Sequence, residues 1–329
     1  MPDVSIIVPV YNGMPFLRDT IDALLHQTHQ QFELLVLDDG STDDSATYIG
    51  GLNDPRIRIL RQSNRGLCAA LNRLIAEAHG EFIMRNDQDD LSHPSRLERQ
   101  LFAIRNSSYD FLFCQIEKMG SKRRWSNRDQ ETTVVGQTRN LISLEDGAKL
   151  HSTLLAKTSA YLRLGYRPEF YPADDWDLQL RAEEQFRIGI LRETLVSYRY
   201  HANCATKPYF FRMQDRSRWA EACAIARRHG AVEPTFDQFA KSLRGQSLLR
   251  RVNRARKDLY RWLQRSGGEA WLNGSDGKAV MLLGSALAVA PERLLRRLYS
   301  AITGWGRDRR PREPRVPEDA DVLGASRKK

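Results

Sequence analysis

The sequence predicts an α/β protein: a doubly wound, mostly parallel sheet flanked by helices, followed by a basic helical extension. Three observations carry this. Apolar, β-branched runs alternate with helix-period segments over residues 1–205, the rhythm of β-α-β units. Clustered carboxylates follow directly on those runs. Charge is also segregated. Residues 1–205 carry 24 Lys+Arg and 28 Asp+Glu, a net of −4, whereas residues 206–329 carry 27 and 13, a net of +14. The expected organisation is a catalytic-type domain over 1–205, a helical basic extension over 206–304 and a disordered, Pro- and charge-rich tail over 305–329.

The elements follow in order. Val4 to Val10 is nearly all apolar, as a strand buried on both faces requires. Asn12-Gly13 turns the chain, and Pro15 opens a helix with Phe16, Ile21, Leu24, Leu25 and Thr28 on one side. Phe32 to Leu37 is a second strand ending at Asp38-Asp39-Gly40, and Ser41 to Asp44 carries helix-start chemistry. Ile57 to Leu60 is a third strand. Helix 66–79 places Leu67, Leu71, Leu74, Ile75 and Ala78 inward, with Gly80 as its stop. Residues 81–85 form a strand running into Asp87-Gln88-Asp89-Asp90. Pro94-Ser95 starts a helix with Leu97, Leu101 and Ile104 inward, and Tyr109 to Ile116 is a further strand. Asp174 begins another helix, and Thr194 to Tyr200 is a strand.

In such sheets ligands bind at the carboxyl ends of the strands. Three motifs stand there: Pro9-Val10-Tyr11-Asn12, Asp38-Asp39-Gly40-Ser41 and Asp87-Gln88-Asp89-Asp90. Convergent carboxylates repel one another. A hard divalent cation, Mg²⁺ or Mn²⁺, relieves the repulsion and completes its shell with substrate phosphates. The competing reading of the cluster is an acidic helix start. Neither GxGxxG nor GxxxxGK[ST] occurs, which excludes an ordinary dinucleotide binder or P-loop NTPase. Asp39 is placed to accept the imide N–H of uracil or thymine, or simply to cap a helix. Tyr11 is a candidate base contact, with ordinary packing as the rival, and Arg65 a candidate phosphate or base contact, with a solvated surface Arg as the rival.

Val8-Pro9-Val10-Tyr11-Asn12, Leu37 to Asp43, Asn64-Arg65-Gly66, Arg85 to Asp90 and Asp174-Asp175-Trp176-Asp177-Leu178 occur in that order. Together they resemble the signature of family 2 glycosyltransferases over about residues 3–205. The resemblance implies a GT-A type, Rossmann-like fold and a metal-dependent, inverting enzyme. It implies nucleotide contacts from Pro9, Tyr11, Asp39, Arg65 and Asp87, and a Mn²⁺ or Mg²⁺ ion on Asp89 and Asp87, with His201 completing that site. Asp175 resembles the general base. The family usually has Glu-Asp where this chain has Asp174-Asp175, so Asp174 stands as an alternate. Trp176 and His151 are expected at the acceptor, each with a packing role as its rival.

The implied partners are a nucleotide-sugar donor, UDP- or dTDP-linked, and a glycan or lipid-linked acceptor in cell-surface glycan biosynthesis. A sugar-nucleotide nucleotidyltransferase would want a Gly-rich triphosphate loop that Val8 to Asn12 does not offer. A non-catalytic glycan- or membrane-binding protein would not need the acids at 87, 89 and 175. Four scattered cysteines without a CxxC pair, and no signal-peptide pattern after Met1, suggest a cytoplasmic chain. No run reaches the roughly 18 apolar residues of a membrane span. The stretch from Leu248 to Arg265 is basic and partly amphipathic, and the apolar run Ala279 to Ala290 precedes further arginines. Both suggest a peripheral partner of anionic membrane on its inner face. No nucleic-acid-binding motif is present, so nucleic acid is not expected as a partner.

Overall fold

The structure is a computed structural model that describes residues 2–126, 136–137, 151–201 and 207–292. Contacts divide it into two units, one of residues 1–119 and 124–200, the other of residues 120–123 and 201–329. The expected tail 305–329, and residues 293–304 of the expected extension, lie outside the described residues.

The first unit runs β1 (Val4–Val10), α1 (Leu17–Leu25), β2 (Phe32–Asp38), α2 (Ser45–Gly50), β3 (Ile57–Arg61), α3 (Leu67–Ala76), β4 (Phe82–Arg85) and β5 (Leu91–Ser92). It continues with α4 (Arg96–Arg105), β6 (Phe111–Met119), β7 (Arg124–Ser126), β8 (Gly136–Gln137), β9 (Leu155–Lys157), α5 (Thr158–Leu164), α6 (Asp174–Gln185) and β10 (Ile188–Arg199). The sheet order is β3-β2-β1-β4-β9-β6-β10-β5, with β7 on β6 and β8 on β10. β1 pairs in parallel with both β2 and β4, so the chain reverses its winding direction between those neighbours. A ligand crevice opens at such a switch point. The short strand β9 enters antiparallel between β4 and β6. Three residues are too few for a periodic signal, which is why the sequence does not announce it.

Side chains alternate across β1. Val4, Ile6, Val8 and Val10 share one core with Leu17, Ile21 and Leu24 of α1 and Leu97, Leu101 and Ile104 of α4. Leu71, Leu74 and Ile75 of α3 are buried as well. Pro9 is tolerated in this interior strand for a local reason. The Val10 carbonyl accepts from Asp39 N and the Ile7 carbonyl from Asn86 N, so alternate residues face β2 and β4. Pro9 faces the β4 side, past the last β1–β4 pair, Ile7 with Arg85.

Helix α3 ends at Ala76, capped at Glu77, and not at Gly80 as expected. Gly80 serves a different purpose. A Cβ there would lie 2.5 Å from Ser5 N, so glycine permits the close pass against β1.

The second unit contains α7 (Phe210–Arg228), α8 (Phe236–Gly245), α9 (Leu248–Leu272) and α10 (Asp276–Val289). The described part of the expected helical extension thus holds four helices. Thr235 and Gln238 form a capping box that restarts the chain at α8. Leu282, Ala286 and Ala290 pack with Tyr260 and Leu263, so one side of the apolar run from 279 belongs to a core cluster of this unit. Among the described residues no helix is long and apolar enough to cross a membrane.

Candidate active site

The loops after β1, β2 and β4 are braced on one another before any ligand is considered. Asn12 adopts a left-handed backbone (φ 51°), which Asn tolerates better than most residues. Its Oδ1 accepts from Thr42 N at 2.8 Å and Asp43 N at 3.3 Å, and its own N–H donates to Ser41 Oγ at 3.1 Å. Gln88 ties β4's loop to β1's. Its Oε1 accepts from Tyr11 N at 2.9 Å, and its Nε2 donates to Tyr11 O at 3.1 Å. The spacer of the acidic motif therefore grips the backbone of the expected base contact.

Asp39 is buried, and its carboxylate accepts from Gln62 Nε2 at 2.7 Å, Arg65 N at 2.9 Å and Gly66 N at 2.9 Å. A carboxylate offers about four lone-pair sites, so one acceptor position is left. Asp38 turns to Ser41 N at 2.9 Å. Tyr11 is 46% exposed, whereas Pro9 is buried within β1 and offers a ligand little surface. Arg65 has an exposed side chain, and its backbone serves Asp39.

The acidic loop after β4 rests on two buried arginines. Arg96, fully buried, donates to Asn86 Oδ1 (3.0 Å), Ser92 Oγ (2.9 Å), Gln100 Oε1 (2.9 Å) and Arg85 O (3.0 Å). Asn86 in turn donates to Asp87 O at 2.7 Å and Asp90 O at 3.1 Å, which fixes the loop's curvature. Arg199 closes it from β10, donating its backbone N to Asp90 Oδ1 (3.0 Å) and its Nε to Asp89 O (2.9 Å). Arg85 pairs with Asp87 at 2.7 Å. Enclosure raises the Asp87 carboxyl above its usual range; Arg85 opposes this and Asp89 adds to it. Burial, then Asp89 and Asp87, push Asp90 well up. Asp90 Oδ2 is buried with no hydrogen-bond partner among the described residues.

The second cluster heads α6. Asp174 is buried and pairs with the buried Cys68 thiol, and burial raises its carboxyl against the pull of Arg85. Asp175 is half-buried, and its Oδ1 accepts from the Trp176 amide at 2.7 Å. Burial and the neighbouring Asp174 push the Asp175 carboxyl up to about 7, with Asp87 adding to the rise and Arg85 restraining it. Asp177 is structural: fully buried, it is held by Arg167 and by Arg181 Nε at 2.9 Å.

Arg85 therefore stands between the clusters, acting on Asp87 and on both acids of α6. It also acts on a cluster of one imidazole and two phenols. His151, buried, meets Tyr166 Oη at 2.5 Å and Tyr161 Oη at 3.2 Å through Nε2, and Tyr161 and Tyr166 meet at 2.9 Å. Burial and Arg85 push the imidazole well below its usual value, while burial raises both phenols.

The structure brings Asp87, Asp89, Asp90, Asp174 and Asp175 to one end of the sheet, with Tyr11 and Asp39 on the adjoining loops. Two expectations are corrected. Trp176 is 1% exposed, so its ring is core and presents no face for stacking on a sugar. His151 is enclosed with the tyrosines and does not line an open acceptor pocket. His201 belongs to the second unit, outside the elements that carry the two acidic clusters. Among the described residues no three His, Cys, Asp or Glu side chains converge as a complete metal cage. Two mutually repelling carboxylates on one loop, with an unpartnered carboxylate oxygen beside them, fit the open kind of site that a substrate's phosphates complete. Arg85, Gln88 and Arg96 had no expected role. The signal for Arg85 was a charged residue ending an apolar strand.

Comparison with known proteins gives the family and the fold. The sequence model for Glycosyl transferase family 2 matches residues 5–161. An uncharacterized glycosyltransferase of Rickettsia felis is 37% identical over 213 residues, covering 63% of this chain; the chain spans about a third (35%) of that protein's length. The putative glycosyltransferase EpsE of Bacillus subtilis is 32% identical over 214 residues, covering 60% of this chain and 73% of EpsE. A crystal structure of S. aureus TarS 1–349 in complex with UDP-GlcNAc has the same fold, with a TM-score of 0.59 at 18% identity, covering 89% of this chain and 92% of that one. With the motifs in order on one crevice and EpsE matched over nearly three quarters of its length, the chain belongs to glycosyl transferase family 2.

Proposed function

We propose that this chain transfers a sugar, with inversion, from a UDP- or dTDP-linked donor to an acceptor hydroxyl. The observation that carries the reading is the meeting of two carboxylate groups, from β4 and from α6, about Arg85 at the sheet's switch point. Structures of S. aureus TarS with UDP and with UDP-GlcNAc support a nucleotide-sugar donor.

In this reading the last acceptor position of Asp39 takes the imide N–H of the base, and Tyr11 lies against the ring. Asp89 and Asp87 would hold Mn²⁺ or Mg²⁺, which when bound would offset charge on the departing diphosphate. Asp175 accepts the proton of the acceptor hydroxyl. The acceptor oxygen bonds to the anomeric carbon from the face opposite the bond that breaks to the diphosphate. Asp174, tied to Cys68 and buried deeper, orients the start of α6. The acceptor is a glycan or lipid-linked oligosaccharide of a cell-surface pathway, met at the inner face of a membrane on which the basic second unit rests.

The test is donor turnover across a panel of nucleotide sugars with Mn²⁺, comparing the unmodified chain with Asp89→Ala and Asp175→Asn. Both substitutions should cost at least about a hundredfold in transfer. Full turnover by both variants on the best donor overturns the assignment.

A further inference from the structure

We propose that the first half of α9 is the membrane-docking surface, with anionic phospholipid headgroups as its partner. The opening turns of this helix stand clear of the rest of their unit. Leu248 is 74% exposed, Leu249 71% and Val252 53%. Leu248, Val252, Ala255 and Leu259 recur at i, i+4, i+7 and i+11, which puts four exposed apolar residues on one helical face. Water is a poor solvent for such a stripe, and a soluble protein seldom keeps one without a partner.

The flanks identify the partner. Arg251 is exposed beside the stripe, and Arg254 follows one turn on along the same side of the groove. Phe211 of α7, 52% exposed, joins Leu248, Val252, Ala255, Arg251 and Arg254 around a groove of about 440 Å³. The acids that also line the groove, Asp215 and Asp258, are matched by Arg218, which pairs with both, and by Arg261, 3.8 Å from Asp258, so Arg251 and Arg254 leave the groove basic. Apolar side chains flanked by guanidinium groups match a bilayer's boundary, where acyl chains lie beneath phosphates. Nucleic acid would satisfy the arginines but leave the leucines in water. A second copy would bring together two surfaces of the same sign, since residues 206–329 carry a net charge of +14. α10 is a weaker candidate, because Ala279, Leu282 and Ala286 already face the core.

This gives a location to the peripheral association proposed above, but its readout needs no sugar donor. Its failure would leave the transfer chemistry standing. The experiment is flotation of the full chain with phosphatidylcholine vesicles, with and without about a third phosphatidylglycerol. It is repeated for Leu248→Glu/Val252→Glu and for Arg251→Glu/Arg254→Glu. Circular dichroism and sedimentation of each variant without vesicles accompany it. The unmodified chain should float with the anionic vesicles and stay down with the neutral ones. Each double variant should lose about tenfold or more of the bound fraction while its fold is unchanged. Absence of flotation with anionic vesicles overturns the proposal, as does equal flotation of both variants. A dimer that the Leu248/Val252 variant dissolves would assign the face to a second copy instead.

Discussion

Asp175→Asn should make this protein more stable while removing its proposed base, and the two effects should share one pH dependence. Burial and Asp174 lift the Asp175 carboxyl from the usual 3.8 to about 7. At ~1.36 kcal/mol per pH unit this corresponds to on the order of 4 kcal/mol. Between pH 4 and 7 the folded chain keeps a proton that the unfolded chain has released. Stability therefore falls as pH rises through that window, and the full penalty is present above pH 7. An amide cannot ionise, so the variant escapes the penalty. Because Asp174 and Asp87 readjust when their neighbour loses its charge, we expect a gain of roughly 2–4 kcal/mol at pH 8 and almost none at pH 4. At ~2–4 °C per kcal/mol for a domain of this size, the melting midpoint at pH 8 should rise by about 5–10 °C. Paired thermal and urea melts from pH 4 to 8 measure this. In the unmodified enzyme, kcat/KM should climb with pH through an acid limb near 7, since only the carboxylate takes a proton. Equal midpoints at pH 8, or a difference that does not change with pH, would refute the electrostatic account of this site.

Two further perturbations follow from the braces beneath the acidic loop. Arg96→Met strips partners from Asn86, Ser92, Gln100 and the Arg85 carbonyl, all buried; urea melts should show a loss of ~3–5 kcal/mol, and a loss under 1 kcal/mol would mean that the loop does not depend on it. Gln88→Ala removes two hydrogen bonds to Tyr11. At ~1 kcal/mol each, urea melts should show a loss of up to about 2 kcal/mol, and the UDP dissociation constant should rise because the Tyr11 backbone is no longer held; unaltered UDP affinity by calorimetry would show that the clamp does not organise the nucleotide loop.

Much of the first unit was legible in the chain because strands buried on both faces must be written in apolar residues. Val4 to Val10 and Phe32 to Leu37 could hardly be anything else, and both are interior strands. The acids at 39, 87 and 89 were legible for a related reason, since charged residues ending apolar runs need a functional explanation; those at 174 and 175, at a helix start, were legible through the family resemblance. Other features were hidden. β9 is three residues long, and it inserts antiparallel only because β4 and β6 leave room for it. Trp176 and His151 stand next to motif residues, yet both turn inward, and no local spacing distinguishes a buried aromatic ring from one that faces a ligand.

By itself, then, the order of residues determined which segments become strands, which acids crown them and where the basic charge lies, because each depends on neighbours within a turn or a strand. Only the folded chain decided that Arg85 stands between two acidic groups nearly ninety positions apart, that Gln88 holds the backbone of Tyr11, and that burial and Asp174 raise the Asp175 carboxyl. Those facts depend on distance and on exclusion of water, and neither exists until remote segments pack together.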